Sequence, residues 1–318
     1  MDFVEEMTKT ERVMAAVNGE EVDRIPVCFW HHFRPEGSGR RLADATFDFF
    51  DATFDLDILK IMPDIPYPFP RRSIRKPEEW RLIEPIDVER SHYFHQRAQA
   101  IQLLRDMVGF DTPIIMTVFS PLAEAMYFAE NRETFLEHAA NHPTLVHEAL
   151  GTIAGNLRAH VQDCIDTGAD GVYFALQGST AAVMSKEQYR ELGRPYDLFA
   201  LQGADGWLNV LHIHGDTDLH FNEVLDYPVQ VLSWSDRIAG PSLREARTMT
   251  TKCLMGGWNE FGALSSGPVE QIQAEAEDAI RQTGGRKFIL ANGCSVPDDT
   301  EEQWLQAARA IAEELEID

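Results

Sequence analysis

The sequence has 318 residues, 44% of them hydrophobic, and a formal net charge of −24. That apolar content suits a globular core and excludes disordered and fibrous classes. So acidic a chain, with no long lysine or arginine run, also excludes a duplex-binding face, which needs clustered cations to displace counterions.

No run reaches the roughly 18 apolar residues of a membrane helix. The start, Met1-Asp2-Phe3-Val4-Glu5-Glu6, has neither the basic residues nor the apolar stretch of a signal peptide. Cys28, Cys164, Cys253 and Cys294 are widely spaced and contain no CxxC, unlike a secreted disulfide framework. The expectation is a soluble cytoplasmic protein with no nucleic-acid or membrane partner.

In chain order, Thr8-Lys9-Thr10-Glu11 is a capping box that opens a first helix, closed near Gly19. Strands follow over 24–30, 56–62, 113–119, 171–176, 208–214, 229–234, 252–255 and 287–291. Helical patterns fill most of the intervals, with capping signals at Ser185-Lys186-Glu187-Gln188, Ser242-Leu243-Arg244-Glu245 and Thr300-Glu301-Glu302-Gln303. Several strands are apolar throughout, as parallel strands covered by outer helices must be. Eight strands and a closing helix over 301–314 predict an α/β fold, a single (β/α)8 TIM barrel spanning 1–318. A doubly wound sheet is disfavoured because no GxGxxG or phosphate-binding loop follows any strand.

The segment 65–91 interrupts the alternation. It holds Pro66, Pro68, Pro70, Pro77 and Pro85 with Arg71, Arg72 and Arg75, after the second strand and therefore at the catalytic end of a barrel. It reads either as a stiff surface excursion or as a partial lid whose arginines attract an anion.

The chemistry is concentrated at strand ends. In Val210-Leu211-His212-Ile213-His214, alternation sends both histidines to one face and Leu211 and Ile213 to the other. The apolar pair packs on the helices, so both imidazoles point inward. Asn292-Gly293-Cys294 brings a thiol to the same rim from the eighth strand. Two histidines and a cysteine with an open fourth position make a catalytic zinc site, and hydrogen-bonded core histidines beside a buried thiol are the alternative. His31 and His32 follow the first strand and read as substrate contacts, with one of them as a further metal ligand the alternative. His138 and His142 are four apart on a helical face that is expected to be solvated.

Several segments together resemble the uroporphyrinogen decarboxylase superfamily. They are Arg24-Ile25-Pro26-Val27, the run from Asp55 to Asp64, Phe119-Ser120-Pro121 through Met126-Tyr127, 185–196 ending in Pro195-Tyr196, Met255-Gly256-Gly257-Trp258 and Asn292-Gly293-Cys294. Within the superfamily the sequence is most similar to the zinc-dependent methylcobamide:coenzyme M methyltransferase branch. That branch uses His-x-Cys on the fifth strand and a second cysteine after the eighth. His212 and Cys294 match, and His214 stands in place of the first cysteine. The porphyrin decarboxylase itself has an Arg-Gln pair where this chain has His31-His32, and a histidine where Cys294 stands.

The resemblance implies a zinc-dependent methyltransferase carrying out corrinoid- or thiol-linked one-carbon transfer, including demethylation of a small substrate. In it His212, His214 and Cys294 hold zinc, Asp64 and Tyr127 position substrate or shuttle protons, and Gln177 and Trp234 line the barrel mouth. Asp218-Leu219-His220 starts like a corrinoid-binding signature, but Glu223 breaks it, so any corrinoid would arrive on a separate protein. Whether the chain forms a homodimer stays open. Two alternatives remain: a metal-free decarboxylase in which Asp64 stabilises a protonated intermediate, and a non-catalytic binding barrel.

Overall fold

All eight apolar runs form parallel strands in the computed structural model, which describes residues 6–34, 38–68, 73–88 and 90–315. They are β1 (Val27–Cys28), β2 (Leu59–Ile61), β3 (Ile114–Phe119), β4 (Gly171–Leu176), β5 (Val210–Ile213), β6 (Val231–Trp234), β7 (Cys253–Trp258) and β8 (Phe288–Asn292). The ladders run β1-β8-β7-β6-β5-β4-β3-β2 in one sheet curled into a barrel, with helices packed outside.

The register sorts side chains into two sets. Leu176, Ile213 and Trp234 are level and face the helices, whereas Ala175, His212 and Ser233 are level and face the interior. Lys60 on β2 is level with Ile115 on β3, two positions before Thr117, which pairs with Tyr173. The inward row of β2 and β3 therefore leads to the same interior as His212.

β1 and β2 share no ladder. Their gap is closed by a side chain instead: the Asp57 amide donates to the Val27 carbonyl, and the Val27 amide donates to Asp57 Oδ2 at 2.8 Å. Arg12 and Arg24 both ion-pair with the same fully buried carboxylate, at 2.8 and 2.6 Å. Arg12 comes from the first helix, Lys9–Asn18, which has the capping box on Thr8 and ends at Gly19 in the left-handed conformation (φ 82°). The expected boxes on Ser185 and Ser242 also form. The last helix, Glu302–Glu314, starts without a side-chain cap, and the Thr300 hydroxyl has no partner.

The proline-rich segment is anchored to the body. It contains a short 3-10 turn, Pro77–Leu82, whose buried Trp80 donates its indole N–H to His138 Nδ1 at 3.0 Å. The expectation of a solvated His138 is thereby corrected, because this imidazole is buried as the acceptor for Trp80. Arg75 pairs with Glu130 on the outside, while Arg71 and Arg72 lie outside the described residues. Among the described residues no helix is long and apolar enough to cross a membrane.

Removing the seam carboxylate strands Arg24 and the Val27 amide and leaves the buried Arg12 with Asp23, at 2.6 Å, as its one remaining carboxylate among the described residues. Asp57→Asn is therefore expected to lower the unfolding free energy by about 3–5 kcal/mol, the usual cost of breaking a buried ion pair. Denaturant titration of the variant against the parent checks this.

Candidate metal centre and active-site cavity

His212, His214 and Cys294 meet at the C-terminal rim, their ligating atoms all within 4.8 Å of one another. Cys294 Sγ lies 3.7 Å from His214 Nδ1, close to the roughly 3.6 Å edge of a tetrahedron built on standard zinc–ligand lengths. The donor set therefore fits zinc after small rotations.

Neighbouring elements fix each ligand. His212 is buried, its ring stacked on Tyr173 at 5.4 Å between centroids, with Nδ1 3.4 Å from the Ser233 hydroxyl. Ser233 in turn lies 3.1 Å from the Tyr173 hydroxyl. Pinning one ring nitrogen this way orients the imidazole and leaves Nε2 for a metal. Cys294 is held by Asn292, whose amide group donates to the carbonyls of Trp30 at 3.1 Å and Cys294 at 2.5 Å. The turn needs glycine at 293, because a Cβ there would lie 2.4 Å from Ser235 Cα.

Desolvation sets the protonation states. Burial, then the neighbouring His214 and Lys60, drives His212 well below the ordinary histidine value, and desolvation lowers the more exposed His214 as well. Both imidazoles are neutral near pH 7 and available as ligands. Burial and the nearby Glu260 push the Cys294 thiol up to about 11.

These groups open onto a cavity of about 220 Å3 lined by Trp30, His32, Lys60, Tyr127, Tyr173 and Gln177, among others. Tyr127 and Gln177 hydrogen-bond to each other at its edge and also line a second cavity of about 500 Å3. Of the expected substrate contacts His32 and Gln177 therefore line this cavity, as does Tyr127, the expected catalytic residue.

Three other expected site residues sit differently. His31 lines a different pocket, packing edge-on against Phe33 and Phe49 with Asp48 and Asp298 also in its wall. Trp234 is level with Ile213 on the outer face, where it packs on Phe221 and donates to the Pro241 carbonyl at 2.8 Å. The two-residue period of β6 sends Ser233, not Trp234, inward. Asp64 is absent from the cavity wall. It accepts from His32 Nδ1 at 2.7 Å and from the amides of Phe33 and Arg34 at 2.9 and 3.1 Å. Burial raises its carboxyl, but the His32 contact and these amides outweigh burial and leave it below the ordinary value, so it stays ionised and positions His32.

Sequence reasoning missed Lys60. It lies under the metal centre with 1% of its surface exposed, and burial lowers its ammonium to about 7. The apolar neighbours Leu59 and Ile61 could have flagged it, since they face outward and place Lys60 inward.

A (β/α)8 barrel with two histidines and a cysteine converging at its C-terminal rim thus defines the class. Residues 43–315 match the uroporphyrinogen decarboxylase (URO-D) family, and the chain belongs to that family. Among curated relatives, a methylcobamide:CoM methyltransferase, MtaA, from Methanosarcina barkeri (strain Fusaro / DSM 804) is 24% identical over 232 residues, 73% of this chain and 67% of that protein. A uroporphyrinogen decarboxylase from Synechococcus sp. (strain CC9605) is 23% identical over 303 residues, 90% of this chain and 81% of that protein. A solved methyltransferase from Methanosarcina mazei superposes with a TM-score of 0.78 at 21% identity, covering 97% of this chain and 99% of that one.

The protonation states fix the pH dependence of zinc loading. The Cys294 thiol must lose its proton, while the imidazoles have none to lose above pH 6.5. Zinc binding should therefore release about one proton per ion at pH 7–8, and affinity should rise about tenfold per pH unit toward pH 11. Calorimetry in buffers of different ionisation enthalpy measures the release. Loss of this proton in Cys294→Ala would assign it to the thiol.

Proposed function

We propose that this chain is a zinc-dependent methyltransferase that moves a one-carbon group between a small substrate and an acceptor. The observation that carries this reading is the convergence of His212, His214 and Cys294 on one point at the mouth of a small cavity. The relationship to MtaA supports the same reading. So does the cysteine at 294, where the resemblance places a histidine in the porphyrin decarboxylase. The decarboxylase alternative would need Asp64 facing substrate, and that carboxylate is engaged by His32 and two amides.

When bound, zinc would act as a Lewis acid on a substrate heteroatom. The chain's own residues do the rest. Tyr173 and Ser233 hold the His212 ring in place, and Asp64 fixes His32 at the cavity wall. Tyr127 and Gln177 form a polar pair where a reactant enters. Trp30, Phe119 and Tyr173 line the cavity with aromatic surface that excludes water. A cavity of about 220 Å3 is below the usual 300–1,000 Å3 range of ligand pockets, so it suits a small substrate. A corrinoid, as in the MtaA name, would have to come on a separate protein and meet the substrate at the mouth.

His214 bears on the acceptor. One thiolate and two neutral imidazoles leave a zinc site with net charge +1, whereas two thiolates and one imidazole give zero. The more positive site binds a thiolate tightly and makes it a poorer nucleophile, which favours an oxygen or other non-standard substrate.

His214→Cys tests this directly. The variant is expected to keep one zinc per chain and to lose roughly tenfold or more in turnover on an oxygen-linked methyl substrate. Metal content and turnover on matched methyl ethers and thiols are measured together. Faster thiol methylation by the variant would refute the oxygen preference. Stoichiometric zinc in both His214→Ala and Cys294→Ala would remove these residues from the metal site.

A further inference from the structure

A cavity of about 300 Å3 lies beside the barrel mouth, at the lower bound of ordinary ligand pockets. Among the described residues it shares no lining side chain with the cavity beside the metal centre. Three segments build it. They are the loop after β1, the turn where helix Gly39–Phe47 runs on into a π-helix, Asp48–Thr53, and the loop after β8 with the start of helix Glu302–Glu314. π-Helical turns are rare and recur at functional sites. The apolar part of the wall comes from Phe33, Phe49, Phe54, Val296 and Leu305.

The polar part is made of acceptors. Asp48, Asp298 and Glu302 line the cavity, and among the described residues no lysine or arginine does. Asp298 is paired with Arg34 at 2.7 Å. Asp48 and Glu302 have no ion pair among the described residues. Nearby aspartates do: Asp51 and Asp55 share Lys9 at 2.8 and 2.7 Å. Two buried atoms of the same wall are also left over, since His31 Nδ1 and the Thr300 hydroxyl have no hydrogen-bond partner. Burial lowers His31 below the ordinary histidine value, so its ring is neutral near pH 7 and one nitrogen keeps a lone pair. A buried polar atom without a partner costs free energy until a ligand supplies one.

We infer that this cavity binds a small organic ammonium ion. Its N–H groups face His31, Thr300 and the carboxylates of Asp48 and Glu302, and its apolar body lies on the phenylalanines. The wall itself selects the class. Two unpaired carboxylates beside aromatic surface repel an anion and attract a cation, and a neutral ligand forgoes the charge-assisted hydrogen bonds. Nothing in the inference depends on zinc or on the methyltransferase reading. The two cavities share only a partition: His31 and Val296 line this one, while their chain neighbours His32 and Ser295 line the other. The Val296 amide donates to the Trp30 carbonyl at 3.0 Å and ties the two sides of that partition together.

Calorimetry of the purified full chain with isoamylammonium, isoamyl alcohol and isovalerate tests this, at an ionic strength of about 0.15 M to screen the anionic surface. The amine should saturate a single site, and the alcohol and the acid should bind at least about tenfold more weakly. Asp48→Asn combined with Glu302→Gln keeps the shape of the wall and should weaken amine binding roughly tenfold or more. Ala45 also lines the cavity. Ala45→Leu keeps every charge but fills the space, and should abolish binding even if the double variant folds poorly. His214→Ala should bind the amine as the parent does, so failure of the metal reading would leave this result intact.

Alcohol or acid matching the amine would overturn the assignment, as would no saturable amine binding to the folded parent. Amine affinity unchanged in the double variant would overturn it too. So would binding that survives in Ala45→Leu, which would mark it as association with the acidic exterior.

Discussion

The barrel depends on one buried carboxylate. Asp57 accepts from the Val27 amide and from two arginines where β1 and β2 share no ladder. The metal corner presupposes closure, because its ligands come from β5 and from the turn after β8, which are not neighbours in the sheet. Asn292 also donates to Trp30 just beyond β1, so the thiol's position is set across the β1–β8 joint. An ion pair at the far end of the β1–β2 joint thus helps to bring His212, His214 and Cys294 together.

Periodicity made most of this legible in the sequence. Strands β2 to β8 fall within three residues of their expected bounds, and β4 matches at both ends, because apolar runs between capped helices are strong signals. The inward histidines followed from Leu211 and Ile213 facing out. The same alternation, applied to β6 with the register of β5, would have turned Trp234 outward, but register between strands is a tertiary property. His31 and Asp64 lie in loops, where no period constrains direction. Their partners, Phe49 and His32, are set by how the chain returns over the rim. Lys60 was overlooked because a lysine in a strand usually reads as an exposed residue.

The distribution of charge separates surface from site. A net charge of −24 keeps the exterior strongly anionic. Inside, the wall carries lysine, histidines, a thiol and neutral polar groups. With both imidazoles neutral, that wall carries little charge of its own, and a zinc ion held by one thiolate would bring +1 to it. The acidic residues therefore sit outside this wall, and none of the described residues that line it is a carboxylate.

The gap between β1 and β2 is also spanned at its upper end, where His32 after β1 meets Asp64 after β2. The wall is thus seven laddered joints and one joint pegged by a carboxylate at each end. Parting a ladder breaks a row of backbone hydrogen bonds together, whereas the pegged joint can loosen at the top while Asp57 holds at the bottom. The upper peg is Asp64, which accepts from His32 and from the amides of Phe33 and Arg34, so slack in the barrel reaches the cavity wall through the one of these three residues that lines it, His32.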